Sequence, residues 1–193
     1  MTAIKTINLE NGNTLEIHHD DGDSNPREWD NLGKMVCFHR RYTLGEKHDY
    51  QQDEHNSWEQ LKDAIEEKER PIVILPLYLY DHSGITMNTT GFSCGWDSGQ
   101  VGWIYVTKKQ LEILGTHISD NETYAEFKER LEKILVAEVK LYDQYLTGDV
   151  YGFILKDSEG DEIDSCWGFY GDNWEENGLT DHVELSDQDL ASL

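Results

Sequence analysis

Alternating apolar and polar positions predict two β-hairpins, one towards each end of the chain. Residues 3–9 and 14–18 alternate around an Asn-Gly pair, which is a strong short-range signal for a tight hairpin turn. Residues 150–155 and 163–169 form the second pair, around a connection that is acidic and contains glycine. Both hairpins are therefore expected to contribute antiparallel strands.

Continuous apolar runs predict central strands in the middle of the chain. Residues 72–80 are almost all β-branched, aromatic or leucine, as expected for a strand that is buried on both faces. Pro76 indicates that pairing is broken or bulged within that strand. Residues 100–106 predict a second central strand, and the middle of residues 27–44 predicts a short one.

Helical periodicity appears in three segments. The pair Asn56-Ser57 is expected to cap an amphipathic helix that runs to about Arg70 and is stopped by a proline. Thr107 is an expected N-cap for a short helix over residues 108–114. The longest helix is predicted for residues 121–147, where aromatic residues and leucines recur at helical spacing and charge occupies the opposite face.

These elements predict the α+β class. We expect a mostly antiparallel sheet of about six strands, with two or three helices packed on one face. Residues 1–171 are expected to form a single domain. Residues 172–193 are acidic and poor in apolar side chains, and they are expected to be a tail or a single docked helix.

Charge restricts the classes of partner. The 193 residues include 39 acidic and 16 basic side chains, for a formal net charge of −23. Binding of bare nucleic acid or of an anionic membrane requires a cationic surface, so both are disfavoured and basic partners are expected. Residues 141–193 hold 14 acidic residues and, as their only Lys or Arg, Lys156.

Cysteine usage and hydropathy predict the compartment. Cys37, Cys94 and Cys166 are odd in number and widely spaced, which favours a reduced cytosolic protein over a disulfide scaffold. The longest apolar run falls far short of the ~20 residues that a membrane-spanning helix needs. Residues 1–10 lack the apolar stretch of a signal peptide. We therefore expect a cytoplasmic protein.

One candidate for acid-base chemistry follows the buried strand at residues 72–80. His82 is adjacent to Asp81, which could orient it as a general base. The alternative is a strand-end turn in which Asp81 and Ser83 bind local amides. No histidine spacing here specifies a mechanism, which favours the turn.

Cys94 is a candidate nucleophile in a glycine-flanked segment. It could be activated by His82 or His39, with Asp97 as the third group. Cysteine is also one of the most frequently buried residue types, and this fact favours a position in the core. The sequence carries no decisive catalytic signature, so a non-enzymatic role is favoured.

Motifs for metal ions and cofactors are incomplete. Cys37 and His39 could share one strand face, but no Cys-x-x-Cys pair accompanies them. The acidic loops at residues 20–23 and 157–164 do not match the calcium-binding EF-hand pattern. We therefore expect neither a metal nor a cofactor.

The adjacent Arg40 and Arg41 could bind a phosphate or a carboxylate. Trp29 and Tyr42 are aromatic residues in the same segment. In so acidic a chain, internal ion pairs are the favoured role for both arginines.

Six distinctive motifs are distributed along the chain: PREWDNLG at 26–33, MVCFHRRY at 35–42, LYLYDHSG at 77–84, WDSGQVG at 96–102, YLTGDVYG at 145–152 and SCWGFYG at 165–171. Together they resemble an uncharacterised family of proteins from bacteriophages and mobile elements, over about residues 26–171. The resemblance implies a phage source and a setting in the cytosol of a bacterial host, but no activity.

The first functional hypothesis is a phage-type anti-defence inhibitor, of the anti-CRISPR or anti-restriction kind. An acidic protein could mimic DNA and bind a basic host protein such as a nuclease or a CRISPR effector. At one charge per ~1.7 Å of duplex, a charge of −23 corresponds to roughly 39 Å of DNA. The alternative explanation of the charge is solubility. The expected partner-binding residues are Glu159, Asp161, Glu162, Asp164, Asp172, Glu175 and Glu176.

The second hypothesis is a small-ligand-binding protein or a hydrolase-like enzyme with a central aromatic pocket. It rests on the polar and aromatic residues that surround an uncharged centre. A structural role in a virion is a third possibility, which the absence of repeats and heptads leaves without support. The residues expected to line the pocket are Trp29, His39, Tyr80, His82, Cys94, Asp97 and Trp103.

Overall fold

The computed structural model describes residues 2–22 and 24–193, so Met1 and Asp23, the latter in the acidic loop at 20–23, lie outside the described residues. The strands are β1 Lys5–Asn8, β2 Thr14–His19, β3 Lys34–Cys37, β4 Val73–Asp81, β5 Ile85–Asn88, β6 Ser98–Val106, β7 Val150–Lys156 and β8 Glu162–Tyr170. The α-helices are α1 Trp58–Glu69, α2 Lys108–Ile113, α3 Tyr124–Thr147 and α4 Asp187–Leu190.

The chain divides into two compact units. We call Met1–Ser24 with Gln144–Leu193 the terminal unit, and Asn25–Asp143 the central unit. Each unit contains one four-stranded antiparallel sheet.

The sheet of the terminal unit joins the two predicted hairpins in the order β1-β2-β7-β8. Ile17 of β2 is opposite Phe153 of β7, and both side chains are fully buried. Apolar side chains at alternate positions thus share one face of the sheet and form its core. That core consists of Ile7, Leu9, Leu15, Phe153, Phe169, Leu179 and Val183.

The last 22 residues of the chain contribute to this core. Leu179 lies in a 3₁₀-helix, Leu179–His182, and is completely buried. The carboxylate of Asp189 in α4 accepts hydrogen bonds from the backbone N–H of Glu10 and from Ser186. Buried apolar area and these hydrogen bonds hold the segment in place within the terminal unit.

The sheet of the central unit has the order β3-β6-β4-β5. Adjacent residues of β6 are buried on opposite faces of this sheet. On one face, Trp103 and Tyr105 pack with Leu61 of α1. On the other face, Ile104 and Leu135 of α3 both lie against Gly33. A Cβ at position 33 would be 2.8 Å from Ile104 and 2.5 Å from Leu135, so any side chain there would clash with both. The two helices therefore cover opposite faces of the sheet.

The interruption predicted at Pro76 is present in β4. The register between β4 and β6 shifts between Leu77 and Tyr78. Strand β5 pairs with β4 only from Tyr78 onwards, so Pro76 has a paired strand on one side alone. Proline is tolerated in a strand at such an edge position because no second neighbour needs its missing N–H.

The α+β class is confirmed, but the predicted single sheet of about six strands is wrong, and so is the placement of all helices on one face. Two sheets form because β2 pairs with β7, and β6 pairs with β3 and β4. Strand β5 lies outside the segments whose apolar pattern predicted strands. The expected boundary at residue 171 stays a prediction. Within the described residues, no helix is both long and apolar enough to span a membrane.

Candidate functional site

A groove in the central unit brings together three segments that are distant in sequence. It encloses a cavity of about 280 Å³. Each segment belongs to one of the motifs quoted above. The lining residues are His39, Arg40, Arg41, Leu79, Asp81, Trp96, Asp97, Ser98, Gly99, Gln100 and Val101.

Strand pairing in the central sheet positions the three segments. The backbone N–H of Phe38 donates to the carbonyl of Val101 at 2.8 Å, which extends the β3–β6 ladder towards His39. At the end of β4, the backbone N–H of Asp81 donates to the carbonyl of Asp97 at 2.8 Å. Both bonds lie next to groove residues, so the sheet itself fixes the walls of the groove.

His39, Arg41 and Asp81 form a charged cluster on one wall. The Arg41 guanidinium donates to the Asp81 carboxylate, and His39 Nε2 lies 3.7 Å from the same carboxylate. Burial lowers the pKa of the His39 imidazole. The negative charge of Asp81 raises this pKa in part, whereas the positive charges of Arg41 and Arg40 lower it further. Because Nδ1 accepts the backbone N–H of Arg41 at 3.3 Å, a neutral His39 imidazole carries its proton on Nε2, the nitrogen nearest Asp81.

His82 and Asp97 form a second, more exposed pair. His82 Nδ1 lies 3.3 Å from the Asp97 carboxylate. The backbone N–H of His82 donates to the carbonyl of Gly84, and Ser83 has a left-handed φ of 58°. Residues 81–84 thus form the turn between β4 and β5, as the turn interpretation predicts. The Asp81 carboxylate, however, binds Arg41 and not a local amide.

Two groove residues stand out by their exposure. The Trp96 side chain is 97% exposed, although tryptophan is normally well buried. Arg40 is also exposed and forms no ion pair in the part of the chain that the structure describes. Trp96 is not among the residues expected for either site. A tryptophan inside a Cys-Gly-Trp-Asp-Ser-Gly segment could have indicated an exposed position, because such residues favour loops.

The groove contains two of the seven residues expected for the central pocket, His39 and Asp97. Trp103 is buried under α1 instead, where its indole N–H donates to the Trp58 carbonyl at 3.0 Å. Trp29 ends a 3₁₀-helix and is half exposed.

Tyr80, His82 and Cys94 are outside the lining of the groove. The Tyr80 ring lies 5.8 Å from that of Phe92. The carbonyl of Cys94 accepts the hydroxyl hydrogen of Ser98, whereas no hydrogen bond joins its thiol to a histidine among the described residues. A Cys/His/Asp arrangement therefore has no geometric support here. In residues 2–22 and 24–193, no group of three His, Cys, Asp or Glu is arranged to hold a metal ion.

The seven predicted partner-binding acids all lie in the terminal unit and all are exposed. Four belong to the β7–β8 hairpin. At its tip, the Asp157 carboxylate accepts backbone N–H bonds from Glu159 and Asp161 at 2.9 and 3.0 Å. This local bonding fixes the turn and leaves the carboxylates of Glu159 and Asp161 directed to solvent.

The other three acids lie on an ordered turn after β8. Trp174 anchors this turn, with its ring edge-on to Tyr151 at 5.0 Å. The backbone N–H of Asn177 donates to the Asn173 carbonyl at 2.9 Å and closes the turn. None of the seven acids forms an ion pair with any described residue.

Charge is divided unequally between the two units. The terminal unit has 18 acidic and 2 basic residues, a net charge of −16, whereas the central unit has 21 and 14, a net charge of −7. Both bases of the terminal unit have partners: Lys156 binds Glu16 at 2.7 Å, and Lys5 donates to the Leu193 carbonyl. The pKa of Glu16 is lowered by its hydrogen bond from Lys156.

Three comparisons with known proteins give no further identification. No protein-family model, no curated protein and no solved structure matches the chain.

Proposed function

We propose that the protein is a non-enzymatic, phage-type inhibitor that binds a basic nucleic-acid-processing protein of the bacterial host. In this proposal, carboxylates of the terminal unit take the place of nucleic-acid phosphates. The observation that carries the proposal is the concentration of charge, −16, in a unit of 74 residues whose two bases are both engaged.

The size of this charge suits a short stretch of duplex. Sixteen net charges, at one charge per ~1.7 Å, correspond to roughly 27 Å of DNA. A cationic cleft that accepts phosphates would attract such a surface and raise the rate of association.

Local rigidity supports the same proposal. The Asp157 turn and the turn anchored by Trp174 hold their acidic neighbours on ordered backbone. Fixed carboxylates lose less conformational entropy on binding than a disordered acidic tail would. The resemblance to phage and mobile-element proteins supplies the proposed setting, in which host nucleases and CRISPR effectors are the candidate targets.

The test is capture from a bacterial lysate on the immobilised protein, followed by competition with duplex DNA. Nucleic-acid-processing proteins should bind at ~0.15 M salt and elute before 1 M, because screening shortens from ~8 to ~3 Å over that range. Duplex DNA should displace them, since the proposal assigns both ligands to one cleft.

Two variants with equal loss of charge locate the surface. The first neutralises the seven terminal-unit acids as Glu→Gln and Asp→Asn. The second neutralises seven exposed, unpaired acids of the central unit: Glu28, Asp30, Asp49, Asp53, Glu54, Glu59 and Glu67. Only the first variant should lose the captured protein. Equal capture by both variants, or capture that neither salt nor DNA reverses, would show that the proposal is wrong.

A further inference from the structure

The groove of the central unit has a composition unlike that of the rest of this acidic protein. Its lining includes two arginines and two aspartates, so its formal charge is zero in a chain of charge −23. Both aspartates have partners: Asp81 binds Arg41, and Asp97 lies 3.3 Å from His82. Arg40 is the one charged residue of the lining without an ion pair in the described structure.

The two arginines favour an anionic group with several oxygens. A guanidinium binds phosphate in a planar, two-pronged geometry that lysine cannot reproduce. Arg41 is held by the Asp81 carboxylate and lies 5.3 Å from the centre of the Tyr42 ring, so its position is set before any ligand arrives. Arg40 supplies the unneutralised positive charge.

Trp96 offers a flat apolar surface beside these charges. Its side chain is 97% exposed and lines the same groove. Leaving a full indole in water forgoes a large burial energy, and exposed aromatic rings next to basic residues serve as stacking platforms for nucleobases.

The backbone at Gly99 leaves room between these groups. A Cβ added at Gly99 would meet no atom within 4 Å, although this residue lies in strand β6 and lines the groove. A ligand can therefore approach the main chain there.

From these observations we infer that the groove binds a nucleoside monophosphate, with its phosphate on Arg40 and Arg41 and its base stacked on Trp96. The cavity of about 280 Å³ lies at the lower limit of the ~300–1,000 Å³ usual for ligand pockets, which suits one nucleotide and not a dinucleotide. A longer strand is disfavoured because a chain of charge −23 repels a polyanion, whereas a single phosphate is affected mainly by charges within a Debye length of ~8 Å. This site is separate from the carboxylates assigned to inhibition and does not depend on that proposal.

The experiment is isothermal titration of the full chain with AMP, GMP, CMP and UMP. At least one should bind at a single site, while adenosine and ribose 5-phosphate, which each lack one recognised group, should bind at least about tenfold more weakly. Arg40→Ala should weaken binding by about tenfold or more, through loss of a charge-assisted contact. Trp96→Ala should weaken it by about fivefold to a hundredfold, the usual range for loss of one stacked base.

A pair of glycine substitutions separates occupancy of the groove from damage to the fold. Gly99→Val should fill the groove and abolish binding. Gly84→Val, at a site that is equally open but outside the groove, should leave binding unchanged. Melting curves of both variants should coincide with that of the parent protein.

Several results would overturn the inference. One is the absence of any heat of binding for all four nucleotides at 1 mM ligand, a concentration on the order of the dissociation constants of the weakest specific ligands. A second is binding that survives Gly99→Val, or that Trp96→Ala weakens by less than about fivefold. A third is tighter binding of a tetranucleotide than of every monophosphate, which would assign the groove to single-stranded nucleic acid.

Discussion

The terminal and central units differ in how far their acidic residues are balanced by basic ones. In the terminal unit, 18 acids face 2 bases, and the seven predicted partner-binding acids are exposed without ion pairs among the described residues. In the central unit, acids with buried partners organise the backbone. Glu138 accepts the N–H groups of Leu32 and Gly33 and binds Arg27 at 3.0 Å, and Glu46 binds both Arg27 and the N–H of Met35.

The difference shows that the total charge of the chain is a poor guide to where a partner-binding surface lies. Carboxylates that accept backbone N–H groups and pair with a buried arginine belong to the architecture of the central unit. Carboxylates with no partner repel one another and remain available to another molecule. The comparison supports the proposal that the terminal unit binds the partner, and it predicts different responses to mutation, salt and pH in the two units.

The largest effect is expected for Arg27→Met in the central unit. The Arg27 side chain is 1% exposed, and its removal would leave the carboxylates of Glu46 and Glu138, which are 24% and 14% exposed, without their cation. Because only one partner of each pair is fully buried, we expect a loss of about 3 kcal/mol, the lower end of the range for buried pairs. Chemical denaturation, monitored by hydrogen exchange at the Ile104 amide, should show this loss in the free energy of unfolding.

Arg130→Met is the matched control for that substitution. Arg130 pairs with Glu122 at 2.8 Å on the surface of the same unit, where solvent screening leaves such a pair little net contribution to stability. If the two substitutions destabilised the unit equally, the distinction between architectural and surface acids would fail.

A smaller effect is expected from salt, and it should be concentrated in the terminal unit. Raising NaCl from ~0.01 to ~1 M shortens the Debye length from ~30 to ~3 Å and removes repulsion between unpaired carboxylates. Since each like-charged neighbour costs a few tenths of a kcal/mol, the gain should total about 1–2 kcal/mol. Amide exchange at Phe153 should slow accordingly, and exchange at Ile104 should change less.

The variant with seven terminal-unit acids neutralised tests the cause of this response. Its Phe153 amide should already exchange slowly at low salt and should respond little to added NaCl. A salt response of undiminished size would assign the effect to general salting-out and not to the carboxylates.

The smallest effect concerns Glu122 in the central unit. The hydrogen bond from Arg130 lowers the pKa of this carboxyl to about 2. Because the pKa is lower in the folded chain than in the unfolded chain, the pair stabilises the fold above the unfolded value of ~4.3, and this contribution is lost as pH falls towards about 2. Carboxyl NMR titration should find the low value, and Arg130→Gln should return it to the ordinary range. An unchanged titration midpoint in that variant would exclude Arg130 as the cause.

Local elements of the fold were predictable because their signals are local. Caps were expected at Asn56-Ser57 and at Thr107, and the side-chain oxygens of Ser57 and Thr107 cap α1 and α2 by accepting from Gln60 and Gln110. The Asn-Gly turn closes the first hairpin as expected, with Gly12 at a φ of 89°. In each case the residues that determine the structure lie within four positions of one another.

The candidate sites were predictable to different degrees. The seven acids were recognisable because exposure of a carboxylate needs no tertiary information. The groove was not, since its lining comes from three segments that only the pairing of β3 and β4 with β6 brings together. Trp103 shows the limit most clearly: the sequence placed it in the pocket, whereas the alternation of β6 directs it under α1.

The sequence by itself determined the strands with clear periodicity, the helices with caps, the α+β class and the large negative charge. Tertiary structure alone decided that the hairpins at the two ends of the chain share one sheet, which gathers a charge of −16 in a single unit. It also decided that Arg41 meets Asp81 beside an exposed Trp96. The physical reason is that periodicity and capping depend on neighbours in the chain, whereas strand partners are chosen by burial and backbone hydrogen bonding across long sequence separations.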